Sequence, residues 1–393
     1  MIKKILIAQI IRFLSLFISV NKSQWLISLR NGGGSAMAEN ALEFAIFLIR
    51  NGEKVKVLNG DKIKFLKKFN VKLNSLDYIV TCLKSGILVC ENDMHNDIPG
   101  YRELSTYKVN LFHGLALKKI YNSSQFTKKI YGLNFKNLFK KFFSRFCFTR
   151  EYNLIATSNK YHQKKYIEAF DNKNVRILGQ PRSDYLVNNL SNKFINKIKS
   201  KLKVNKFKKI ILYMPTFRDL EVVDQYQCKL CFDTIFQKYL KKNNYLLISK
   251  HHNFYINNKK YKNFVFKRLA KKNFIILTDQ HFTQDLLRIS DVLITDYSGI
   301  FFDFLLIQKP IIFFQYDKRK YISKNRELYF DVNNKKLKLG SSVEHVKDLI
   351  KKIDSNTMNN KKKYKIALSK FQKFKDGNSS KRIYEYIKNE IRN

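Results

Sequence analysis

Four short clusters of the chain set groups suited to phosphate chemistry directly after apolar runs. Phe112-His113-Gly114-Leu115-Ala116-Leu117-Lys118-Lys119 supplies an imidazole, a glycine and cations. Met214-Pro215-Thr216-Phe217-Arg218-Asp219 adds a hydroxyl and a guanidinium, and Ser249-Lys250-His251-His252 adds an ammonium and two imidazoles. Thr295-Asp296-Tyr297-Ser298-Gly299 brings a carboxylate, a hydroxyl and a glycine to a point where a strand ends and a helix begins. Imidazole titrates near neutrality, so it is the natural group to take a proton from an attacking alcohol. Cations, hydroxyls and the unpaired N–H groups of a helix's first turn suit phosphate oxygens. Singly, each cluster also has a plainer reading, because Thr and Asp near helix starts commonly act as caps. Together they outline a base facing a phosphate cradle.

The segment Ser290–Phe314, SDVLITDYSGIFFDFLLIQKPIIFF, sharpens this expectation. Ser298 is expected to cap the helix beginning near Gly299, and Gly299 to let an anion approach the backbone closely. Asp303 is expected either to face the same mouth and accept hydrogen bonds from a ribose, or to be a buried carboxylate satisfied by backbone. Asp296 joins the phosphate-binding set with Thr216, Arg218, Lys118, Gly114 and Lys250.

Strand and helix signals alternate along most of the chain. QWLISLR, KVKVLN, YIVTC, VNLFHG, NLIATS and NVRIL read as strands of a first series. KKIILYM, YLLISK, FIILTD, DVLIT and PIIFF read as strands of a second. Continuous apolar strands separated by helices predict parallel sheets covered on both faces. The expected fold is therefore α/β, with two Rossmann-like domains facing a cleft. Its expected parts are an N-terminal helix at 1–22, a first domain at 23–189, a linker at 190–207 and a second domain at 208–393. In such folds ligands bind beyond the carboxyl ends of strands, where all four clusters lie.

With 76 Lys+Arg against 31 Asp+Glu among 393 residues, the formal net charge is +45, which suggests an anionic partner. No nucleic-acid-binding module accompanies the charge. Residues 1–22 and 134–146 instead combine apolar stripes with Lys and Arg, as interfacial helices on an anionic membrane do; packing against the protein core is the other reading of each. The five cysteines include a lone Cys228-x-x-Cys231 without a second pair, so no structural zinc site is expected, and an odd count suits a reducing cytoplasm.

HGLALKK, GQPRSD, MPTFRD, KHH and the TDYSG…FFD…KPIIFF…YFD block, in that order, resemble the CDP-glycerol glycerophosphotransferase family of teichoic-acid and capsule polymer synthesis. The resemblance implies a GT-B architecture and peripheral attachment to the cytoplasmic face of the membrane. It also implies transfer of a polyol phosphate from a CDP-activated donor to a hydroxyl of a lipid-linked or polymeric glycan acceptor, with release of CMP. His113 is then the general base, while His252, Arg218, Thr216, Ser298 and the following helix carry the phosphates. The K-x-H spacing in the family favours His252 over His251. No metal or other cofactor is expected to be required. Departures from the family pattern are Phe112 in place of Trp, Leu115-Ala116 in place of Thr-Pro, Tyr121 in place of Gly, and Arg326-Glu327 preceding Leu328-Tyr329-Phe330-Asp331. The alternatives are a nucleotide-sugar glycosyltransferase on the same fold, a basic nucleic-acid-binding protein, and a catalytically silent membrane scaffold.

Overall fold

In a computed structural model of the chain, the residues described are 9–11, 13–30, 39–61, 63–124, 152–188, 191–216, 230, 233–250, 273–277, 282–324, 327–355 and 361–392. The first series of strands comprises β1 (Asn21–Ser28), β2 (Lys54–Leu58), β3 (Asn70–Val71), β4 (Ser85–Cys90), β5 (Tyr107–Asn110), β6 (Leu154–Thr157) and β7 (Val175–Ile177). The second comprises β8 (Lys209–Met214), β9 (Tyr245–Lys250), β10 (Phe274–Leu277), β11 (Val292–Thr295), β12 (Ile311–Phe314) and β13 (Ser341–Val343). Among the described residues they form two sheets, ordered 3-2-1-4-5-6-7 and 10-9-8-11-12-13, with every neighbouring pair parallel. Both are doubly wound, and the order reverses between β1 and β4 and between β8 and β11.

Side chains of a strand alternate between the faces of its sheet, and both faces are filled here. Trp25 and Ile27 of β1 join one apolar layer, whereas Leu26 joins the other. In the second sheet Leu212, Leu293 and Phe313 pack towards the cleft-side layer, and Ile211, Ile294 and Phe314 pack away from it. Continuous apolar runs are the signature of this two-sided burial, which is why most strands were legible in sequence.

YIVTC is an exception. It lies in the helix Leu76–Lys84, and the strand follows it as Ser85-Gly86-Ile87-Leu88-Val89-Cys90. Ser75 decides the matter locally: its Oγ accepts the Tyr78 N–H at 3.1 Å and starts a helix through a β-branched run. Propensity yields to a cap and to tertiary burial of Tyr78, Thr81, Cys82 and Leu83.

The domain boundaries also shift. The expected linker is the helix Asn192–Lys201, whose Ile198, with Val204 beyond it, enters the second domain's core. The terminal helix Ser379–Arg392 crosses back, and Ile383 and Ile387 pack into the first domain's core beside Trp25 and Val57. Asp184 holds its start: Oδ1 accepts the Ser379 N–H at 2.8 Å, and Oδ2 accepts the Ser380 N–H at 2.8 Å and its hydroxyl at 2.9 Å. The second domain therefore does not run to residue 393, because the last helix serves the first.

At the N-terminus, residues 9–11 and 13–14 are helical. Ile11 is buried in the first domain, while Phe13, Leu16 and Phe17 are 63%, 64% and 72% exposed. The stripe at 134–146 lies outside the described residues.

Replacing Asp184 with Ala should leave two first-turn N–H groups of the terminal helix without a charged acceptor, a loss of about 2–4 kcal/mol. Hydrogen-exchange protection across residues 379–392 is the measurement, with a drop of about 30-fold or more expected.

Candidate active site between the two sheets

β5 ends at Asn110, whose Oδ1 accepts the Phe112 N–H at 2.8 Å and turns the chain. Phe112 (φ 49°) and Gly114 (φ 122°) both stand in the left-handed half of backbone space, so the turn around His113 requires external support. It receives that support at almost every peptide. Asn40 Nδ2 donates to the Phe112 carbonyl at 2.6 Å, and Arg182 Nη1 to the His113 carbonyl at 2.9 Å. The Tyr166 hydroxyl donates to the Gly114 carbonyl at 3.0 Å and accepts the Ala116 N–H at 3.1 Å. His162 Nε2 lies 2.9 Å from the Ala116 carbonyl, an arrangement that assigns the proton to Nε2. Burial pushes the His162 imidazole down to about 4, so it is a neutral donor. The His113 side chain itself is exposed, with its ring 4.2 Å from the buried Phe112 ring.

The same loop is anchored in the other domain. Leu115 and Leu117 are buried in the second domain's core with Ile300, Phe301 and Phe302. Lys118 forms an antiparallel bridge with Leu328, and the Tyr329 N–H donates to the Leu117 carbonyl at 2.8 Å. A Cβ on Gly299 would stand 2.3 Å from the Leu115 carbonyl. Gly299 thus admits the histidine-bearing loop of the facing domain, a steric reason for glycine beside the expected approach of an anion. It also brings that loop against the Ser298 turn.

On the second sheet the clusters fall at the switch point between β8 and β11. Thr216 is buried, and its N–H donates to Asp296 Oδ1 at 2.8 Å; the same oxygen accepts the Tyr297 N–H at 2.6 Å. Asp296 was grouped with the phosphate binders, but its buried carboxylate ties two strand ends together, and a carboxylate repels phosphate. It is a scaffold for Thr216 and Ser298. Gly299 is the residue at the cap position of the helix Ile300–Ile307; the Ser298 hydroxyl accepts the Ile300 N–H at 3.4 Å, the long end of a hydrogen bond. Lys250 ends β9 and donates to the Thr283 hydroxyl at 2.6 Å, and the Thr283 N–H donates to Glu39 of the first domain at 2.6 Å. Arg218, Asp219, His251 and His252 lie outside the described residues.

Asp303 corrects the ribose expectation. Its side chain is 0% exposed and pairs through Oδ2 with Arg182 Nη2 at 2.7 Å, Arg182 being 8% exposed. Burial pushes the Asp303 carboxyl up to about 6 against the pull of the guanidinium. The carboxylate is turned inward to Arg182 and is closed to solvent. Arg182, Tyr166, His162, Asn40 and Asp184 were not singled out as site residues in sequence. Arg182 and Asp184 lie in GQPRSD, one of the stretches that carry the family resemblance. Among the described residues, no group of three or more His, Cys, Asp or Glu side chains comes together as a metal cage.

Glu91, at the carboxyl end of β4, accepts the Ala41 N–H at 2.7 Å, and its burial pushes the carboxyl up to about 8, with Arg182 opposing. Its folded-state value exceeds the unfolded one, so its favourable contribution is full below about 4.5 and is lost as pH rises through 8. Glu91→Gln keeps an acceptor for Ala41 and removes the titration. Urea unfolding across pH 5–8 should show the variant gaining stability over wild type as pH rises.

A family model described as CDP-glycerol:poly(glycerophosphate) glycerophosphotransferase matches residues 19–389. The chain is 30% identical over 300 residues to a teichoic acid glycerol-phosphate transferase of Staphylococcus aureus, covering 73% of this chain and 72% of that one. It is 30% identical over 345 residues to a teichoic acid poly(glycerol phosphate) polymerase of Bacillus spizizenii, covering 84% and 80%. The solved wall teichoic acid polymerase TagF superposes with a TM-score of 0.75 at 19% identity over 99% of this chain and 93% of that chain, a likeness of fold. With the model spanning nearly the whole chain and both facing sheets in place, the protein belongs to the CDP-glycerol:poly(glycerophosphate) glycerophosphotransferase family.

Proposed function

We propose that the enzyme moves glycerol phosphate from CDP-glycerol onto a terminal hydroxyl of a lipid-linked or polymeric glycan acceptor, with His113 as the general base. The acceptor O–H gives its proton to the imidazole as its oxygen bonds to the β-phosphorus. The bridging P–O bond of the diphosphate breaks, and CMP leaves. Charge building on the phosphate oxygens meets Lys118, Lys250, Thr216 and the Ser298 turn, with Arg218 and His252 assigned to the same work by the family pattern. Gly114 and Gly299 serve by leaving room for the loops to meet. The observation that carries this reading is the contact of Gly299 with the Leu115 carbonyl, two residues from His113. That contact supports a site in which His113 and the start of the helix Ile300–Ile307 border one cleft.

Protein cations take the place of a divalent metal in this proposal. The test is CMP release from CDP-glycerol with an oligo(glycerol phosphate) acceptor. His113→Ala should lower kcat about 10²–10⁴-fold, and excess chelator should leave the wild-type rate unchanged. Full activity of the variant would remove the base assignment, and loss of rate in chelator would remove the metal-free one.

The site is proposed to work at the cytoplasmic face of the membrane. Ile10, Phe13, Leu16 and Phe17 are 41%, 63%, 64% and 72% exposed on the N-terminal segment, as an interfacial anchor requires. No described helix is long and apolar enough to cross a membrane. Phe13→Glu/Phe17→Glu should lower co-sedimentation with anionic vesicles at least tenfold, each buried aromatic contributing about 1.5–3 kcal/mol. CMP release with a soluble acceptor should be unchanged.

A further inference from the structure

We infer that Arg182, clamped by Asp303, is a positioning residue for the general base, and that it ties the poise of His113 to the nucleotide-binding domain. The inference rests on the assignment of His113 as base. Arg182 stands in the helix Pro181–Val187, which links the two domains, and its guanidinium divides its donors between them. Nη1 holds the carbonyl of His113 itself at 2.9 Å, and Nη2 holds Asp303 at 2.7 Å. Asp303 belongs to the helix whose first turn follows Ser298 and Gly299. A Cβ on Gly114 would stand 2.1 Å from Nη2, so the guanidinium packs directly against the loop it supports. That loop contains a phenylalanine at φ 49° and a glycine at φ 122°, a conformation that relaxes unless its carbonyls are held. The path from the donor's helix to the base is therefore short: helix 300–307, Asp303, Arg182, the His113 carbonyl. Asp303 Oδ1 has no hydrogen-bond partner among the described residues, so the carboxylate depends on Arg182.

The experiment compares kcat and KM for CDP-glycerol in the full-length enzyme with an oligo(glycerol phosphate) acceptor. Arg182→Met/Asp303→Leu removes both buried charges together, which spares the fold the penalty of one left alone. It should melt cooperatively, keep KM for CDP-glycerol within about twofold and lose about 100-fold in kcat, the effect of displacing a reacting group by about 1 Å. Arg182→Lys keeps the charge on Asp303 but cannot fork to the carbonyl, and should lose about tenfold in kcat. Unchanged kcat in the double variant overturns the inference, as does a rise in KM with kcat retained, which would return Asp303 to the nucleotide. If the double variant fails to fold, unchanged kcat in Arg182→Lys overturns it. A silent His113→Ala enzyme beside a fully active double variant overturns this inference alone, whereas a fully active His113→Ala enzyme removes the base and the inference with it.

Discussion

The constraint on which the molecule depends is the burial of one carboxylate. The helix Ile300–Ile307 is apolar on every side except at Asp303, so all of it but the half-buried Ile307 sinks into the contact between the domains. An ionised carboxylate in that setting needs a cation with good geometry. Arg182 provides it, and the helix that carries Arg182 becomes the junction of the chain. Asp184 receives the terminal helix, the Tyr185 hydroxyl donates to Asp285 of the second domain, and Arg182 reaches the His113 carbonyl. One short helix thus sets the relation between the two sheets.

The arrangement separates the proposed base from its support. His113 is exposed, while Asn40, Tyr166, His162 and Arg182, which hold its backbone, are buried. Precision in a loop of unfavourable φ values comes from rigid elements behind it, because hydrogen bonds in a low-dielectric interior are strong and few alternatives compete. The apolar residues of the loop do the same for the other domain. Leu115 and Leu117 enter the second core, so the cleft closes around residues that belong by chain order to one domain and by packing to the other.

Charge is distributed accordingly. Among the described residues only Arg102, Lys108 and Arg182 of the Lys and Arg side chains are buried, and around Arg182 the interface is acidic, with Glu39, Glu91 and Asp303 all acting on it. Against the cost of burial, these acidic groups hold the guanidinium firmly in its charged form. In the proposed reaction an anionic substrate is drawn by the outer field towards the donors at the strand ends.

Much of this was readable along the chain. Unbroken apolar runs such as KIILYM and VLIT determined two-sided parallel sheets, and the residues after them mark where ligand chemistry is proposed, because ligands of such folds bind beyond strand ends. Propensity misled at YIVTC, where Ser75 capped a helix, and β13 and β3 are too short to announce themselves. The packing of the last helix on the first domain was also hidden, since amphipathic spacing says that a face is buried but not against what. Asp303 is the clearest case: spacing from Ser298 placed it near the mouth, yet only the three-dimensional fold decided that it turns inward. Local sequence sets periodicity and turns, whereas the partner of a buried charge is chosen by a residue distant in the chain, here Arg182, and that choice exists only once the domains have packed.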